Sequence, residues 1–149
     1  MSDGDYAKCI EILLVEDNPG DVGLTEAALE ENKMRNQLHV AKDGEEAMHF
    51  LFKQDKFSDA PRPDLIILDL NMPKKDGRDV LKEIKTNPDL KKIPVVILTS
   101  SKAEEDIIKS YNLHANCYIK KPLDFEQFIK VVQSIEHFWM SIVVLPESE

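Results

Sequence analysis

Cysteine is scarce in this chain. Cys9 and Cys117 are the two present, far apart and in neither a Cys-x-x-Cys nor a metal-ligand spacing, which argues against a disulfide scaffold or a thiol redox centre. Long apolar runs are missing as well: no stretch approaches the roughly 20 residues of a membrane helix, and the acidic start from Met1 to Asp5 is unlike a secretion signal. A cytoplasmic protein without a membrane segment is expected. Positive charge is in deficit too, with 19 Lys plus Arg against 28 Asp plus Glu, and the net charge of −9 opposes direct binding to nucleic acid or to an anionic membrane. Proteins or cations are the better partners. The four histidines, His39, His49, His114 and His137, have neither metal nor triad spacing and are assigned no chemistry.

What remains is a chain of 149 residues, 42% hydrophobic, which fits one domain with a sizeable core. Its hydrophobic pattern alternates between short solid runs and helical spacing. Ile10 to Val15 reads as a strand, followed by a helix carrying Val22, Leu24, Ala28 and Leu29 in an acidic segment. Leu38 to Ala41 is a weaker strand and Glu45 to Lys53 a second helix. Leu65 to Leu68 is the third strand, and the helix from Arg78 to Thr86 ends at Asn87-Pro88. A strand over Val95 to Thr99, a short helix over Glu104 to Tyr111, a strand over Cys117 to Ile119 and a long helix from Asp124 to about Met140 complete five repeats. Strands apolar on both faces and joined by helices imply an α/β fold, a doubly wound parallel sheet covered on both sides.

In open sheets of this kind ligands bind outside the carboxyl ends of the strands. Glu16 and Asp17 follow the first strand, Asp69 the third, Thr99 ends the fourth, and Lys121 follows the fifth. Crowded carboxylates repel one another, and a small cation that resists dehydration, such as Mg2+, relieves the repulsion while binding to one or two of them. Asp17 and Asp69 are the expected ligands. A carboxylate can also attack phosphorus and hold an acyl phosphate, and Asp69 is the expected nucleophile. Lys121 offers a point charge for a phosphate oxygen, aimed by the fixed turn at Pro122.

Each residue has a plainer reading. Asp17 could cap the helix that Asn18-Pro19 opens, a role compatible with ligation. Asp69 could be a loop or cap aspartate, although its company argues otherwise. For Thr99 a phosphate hydrogen bond and a helix start weigh equally, and Tyr118 reads first as a core aromatic.

Leu13-Leu14-Val15-Glu16-Asp17-Asn18, Asp64 to Pro73, Asp76-Gly77, Pro94 to Ser100 and Tyr118-Ile119-Lys120-Lys121-Pro122 resemble the receiver domain of two-component response regulators. That resemblance covers nearly the whole chain and implies a flavodoxin-like sheet of five strands in the order 2-1-3-4-5. It implies that Asp69 accepts a phosphoryl group from the phosphohistidine of a sensor histidine kinase. Mg2+ would be held by Asp17, Asp69 and the Asn71 carbonyl, with Glu16 assisting through water. Thr99 and Tyr118 would switch position, Lys121 would pair with a phosphate oxygen, and Asn71 and Ser101 would tune hydrolysis. Pro61-Arg62-Pro63-Asp64, Pro73 to Arg78, Asn87 to Lys92 and Phe138-Trp139 further resemble the stand-alone regulators of bacterial phytochrome kinases.

The expected organisation is a receiver over residues 1–140 and an apolar tail over 141–149, with no output domain. A signal would then leave through a surface of the receiver itself, namely the fourth helix, fifth strand and fifth helix around Tyr118. Ile142, Val143, Val144 and Leu145 either fold back on the last helix or pair two copies of the chain, and the phytochrome-type resemblance implies pairing through this end. Two other function classes are weaker. An aspartate-nucleophile phosphohydrolase needs a second acid where Asn71 stands, and no insertion is large enough for a substrate cap. A non-phosphorylated interaction module with this fold would be expected to have lost an acid or the lysine, and none is lost.

Overall fold

Strand β1 (Ile10–Val15) is buried along almost its whole length, so both of its faces need a cover. The computed structural model supplies one from each side; the residues it describes are 9–30, 36–70, 77–99 and 117–120, with Glu126 and Lys130. Around β1 stand α1 (Pro19–Glu30), β2 (Asn36–Ala41), α2 (Gly44–Leu51), β3 (Leu65–Asp69), α3 (Gly77–Thr86), β4 (Val95–Thr99) and β5 (Cys117–Lys120). The five strands form one sheet in the order β2-β1-β3-β4-β5, parallel at every pairing, which is the expected flavodoxin-like order.

Alternation along the strands divides the core in two. Leu13, Val15, Ile66, Leu68, Val95 and Ile97 pack with Ala47, Met48, Phe50 and Leu51 of α2 and with Val80, Leu81 and Ile84 of α3. Ile12, Leu14, Leu65, Ile67, Val96 and Leu98 face the other way and meet Ala28 and Leu29 of α1. Each large side chain buried in this way contributes about 1.5–3 kcal/mol of transfer free energy. With α1 on one face and α2 and α3 on the other, the sheet is doubly wound.

Several boundaries differ from the sequence expectation. Helix α1 starts at Pro19 as expected, where the fixed φ and missing N–H suit a first helical turn, and it buries Thr25, whose hydroxyl donates to the Asp21 carbonyl at 2.9 Å. Helix α2 stops at Leu51 rather than Lys53, because Lys53 takes a φ of 57°. A single 3-10 turn, Asp55–Phe57, then begins with Asp55 at φ 56°. Glu126 and Lys130 are helical and exposed, four residues apart, as the polar side of the expected last helix requires. The expected helix over Glu104 to Tyr111, the remainder of the last helix and the tail lie outside the described residues.

Candidate functional site

Strand β3 is the central strand, paired with β1 on one side and β4 on the other, so its last residue is delivered to the middle of the sheet's carboxyl edge. That residue is Asp69, 1% exposed and opposite Leu98 of β4. Pairing continues one step further, with the Leu70 N–H donating to the Leu98 carbonyl at 3.1 Å. Glu16 follows the end of β1 and is equally buried, its N–H donating to the Ala41 carbonyl of β2 at 2.9 Å. Asp17 comes next and is exposed.

The structure gathers these three acids. One carboxylate oxygen from each of Glu16, Asp17 and Asp69 lies within 4.8 Å of the others. Like charges at that separation repel by about 1 kcal/mol per pair in water and by about 3–4 kcal/mol at an effective dielectric of about 20. Two buried carboxylates and one open to solvent form an oxygen-only donor set, which fits a hard divalent cation such as Mg2+.

Of the other expected site residues, Thr99 is placed by its backbone at the end of β4, in register with Lys120, and Tyr118 pairs with Ile97. Lys121 is the residue after β5. It lies outside the described residues, as do Asn71 and Ser101.

Two further residues shape the site, although sequence reasoning gives them no part in it. Asn18, not Asp17, caps α1: its side-chain oxygen accepts from the Asp21 N–H at 3.0 Å and its carbonyl accepts from the Val22 N–H at 3.0 Å. The signal was there in Asn18-Pro19, a cap residue followed by proline at the first helical position. Gly77 opens α3 directly against the backbone of the Asp69 segment. A Cβ there would stand 2.5 Å from the Asp69 carbonyl oxygen and 2.6 Å from the Leu70 Cα, and the Gly77 N–H donates to the Leu70 carbonyl at 3.2 Å. Glycine, lacking a Cβ, is the residue that permits such a close approach.

Comparison with known proteins points the same way. Residues 12–133 match the family model described as the response regulator receiver domain. Response regulator Rcp1 of Synechocystis sp. is 52% identical over 135 residues, covering 91% of this chain and 92% of that protein. The crystal structure of the Mn2+-bound form of Rcp1 superposes with a TM-score of 0.77 at 50% identity, covering 89% of this chain and 96% of the other. That of the phosphorylated cyanobacterial phytochrome response regulator RcpA superposes with a TM-score of 0.78 at 48% identity, covering 90% and 96%.

Proposed function

This chain belongs to the response regulator receiver domain family, and on that premise we propose that it is a stand-alone response regulator of a two-component phosphorelay, phosphorylated on Asp69. The observation that carries the choice of Asp69 is its burial at the end of the central strand within 4.8 Å of two further carboxylates. Asp17, Asp69 and the Asn71 carbonyl would hold Mg2+, with Glu16 reached through water. When bound, the ion neutralises the crowded acids and the incoming phosphoryl oxygens. A carboxylate oxygen of Asp69 attacks the phosphorus of a kinase phosphohistidine. The P–O bond forms as the P–N bond breaks, and the imidazole leaves with the bonding pair. The Thr99 hydroxyl and the Lys121 ammonium serve the phosphate oxygens, while Asn71 and Ser101 set the rate of acyl phosphate hydrolysis.

The partner is a sensor histidine kinase of phytochrome type, a reading supported by the phytochrome regulator RcpA at 48% identity. Output is a population shift in which Thr99 and Tyr118 reorganise the face formed by β5 and the helices expected over 104–111 and 124–140. Two copies pair through the apolar tail at 141–149. The protein acts in the cytoplasm as a signalling protein rather than an enzyme, and its charge of −9 directs it to protein partners instead of nucleic acid or membrane.

Acetyl phosphate with Mg2+ tests the chemistry. A hydroxylamine-labile adduct is expected on the wild type and none on Asp69→Asn, and a phosphorylated phytochrome-type kinase is expected to label the first but not the second. Multiple turnover of unrelated phosphomonoesters would make the protein a hydrolase instead, and no adduct on either form would leave an inert module. Pairing is tested by sedimentation of the full chain beside one ending at Met140; an identical monomer mass per particle in both would refute it.

A further inference from the structure

The turn between Glu16 and the first helical residue is bound at both of its ends. Its upstream end is fixed by the Glu16 N–H on the Ala41 carbonyl at 2.9 Å. Its downstream end is Asn18, which makes three bonds. The Asn18 N–H donates to Glu16 Oε2 at 3.2 Å, its side-chain oxygen accepts from the Asp21 N–H at 3.0 Å, and its carbonyl accepts from the Val22 N–H at 3.0 Å. Gly20 leaves space for this, since a Cβ there would come within 3.1 Å of Asn18 Oδ1. Asp17 sits between these two anchored residues and makes its contribution to the acidic cluster from there.

We propose that Asn18 is a positioning residue for the divalent-cation site: by capping α1 it holds its own N–H on the Glu16 carboxylate and so fixes the directions of Glu16 and Asp17. An ordinary helix cap makes the bonds from Asp21 and Val22. The additional bond to a buried carboxylate of the cluster joins the helix end to the donor set. Partners that orient ligating carboxylates commonly carry about a 10- to 100-fold share of metal affinity.

The inference rests on the reading that Glu16, Asp17 and Asp69 hold a cation, and the experiment separates the two. MgCl2 is titrated calorimetrically into the full-length wild type, Asn18→Ala and Asn18→Ser, and the metal-free melting temperature of each is measured alongside. Serine retains the cap and alanine does not. Asn18→Ala is expected to bind Mg2+ about tenfold more weakly or worse, and Asn18→Ser to stay close to wild type. Should Asn18→Ala melt earlier yet bind Mg2+ as tightly as wild type, Asn18 is a helix cap and nothing more. If serine loses as much affinity as alanine, capping is not the cause and the inference is overturned. A wild type that does not bind Mg2+ at all removes the cation site itself, and this inference with it.

Discussion

Among the described residues, the two ends of the sheet are built on opposite electrostatic plans. At the amino-terminal end, polar groups close on one another. Asp64 Oδ2 accepts from the Glu11 N–H at 2.9 Å, and the Asp64 N–H returns a bond to the Glu11 carbonyl at 2.7 Å. His39 Nε2 lies 2.7 Å from Glu11 Oε1 across the β1–β2 pair. Arg62 Nη1 donates to the Asp89 carbonyl at 2.7 Å, tying the α2–β3 connection to the α3–β4 connection. At the carboxyl end, Glu16, Asp17 and Asp69 bring charge of one sign within 4.8 Å. The same five strands thus carry an end that holds the fold together and an end that stores repulsion a ligand can release. Stability is given up where chemistry is needed.

Asp69→Asn is expected to have the largest effect. Phosphorylation is expected to disappear entirely. If the acidic end does store repulsion, the same substitution raises metal-free stability by roughly 1–3 kcal/mol, because it removes one charge and keeps the shape. In the wild type, Mg2+ at about 100 times its dissociation constant is expected to add about 2.7 kcal/mol, and in the variant far less. Urea melts with and without the ion measure all three quantities. A variant less stable than wild type in the absence of metal would show that the cluster is stabilising, and the contrast between the two ends would fail.

Gly77→Ala perturbs the carboxyl end through the backbone. Its methyl would meet the Asp69 carbonyl at 2.5 Å and the Leu70 Cα at 2.6 Å, both main-chain atoms that move only if the strand end or the helix moves. Such overpacking costs about 1–3 kcal/mol. Here the shift falls on the segment proposed to accept the phosphoryl group, so labelling by acetyl phosphate is expected to slow along with the loss in melting temperature. Unchanged labelling in a destabilised protein would mean that α3 yields and Asp69 does not depend on it.

These cases also mark how far the sequence can be read. Strands β1, β3 and β4 were legible because residues buried on both faces form solid apolar runs, such as Leu65 to Leu68 and Val95 to Leu98. The three acids were legible because each lies just at or past the end of such a run. The end of α2 was not, since Lys53 adopts a left-handed φ that its residue type does not advertise. Nor was the His39–Glu11 pair, which depends on a register between two strands, with Glu11 opposite Gln37 and His39 opposite Leu13. Asn18 was legible as the start of a helix, but its bond to Glu16 depends on a rotamer that sequence does not specify.

The smallest effect belongs to Lys85, at the amino-terminal end. Its ammonium reaches the carbonyls of Ile93 at 3.4 Å and Lys91 at 3.5 Å, which are long for hydrogen bonds and correspondingly weak. Burial pushes the pKa of this amine below the ordinary lysine value. Between that depressed value and the ordinary one, the folded chain binds fewer protons than the unfolded chain, so this group makes stability rise with pH across that window; below it the desolvation cost stands in full. Lys85→Met gives up two weak bonds and escapes that cost, so the net change at neutral pH is expected to stay within about 0.5 kcal/mol. Denaturant midpoints collected from neutral to strongly alkaline pH are expected to lose the lysine's upward contribution. A large loss at neutral pH would mean that this end of the sheet also depends on a particular charge, in which case the two ends would differ in sign and not in kind.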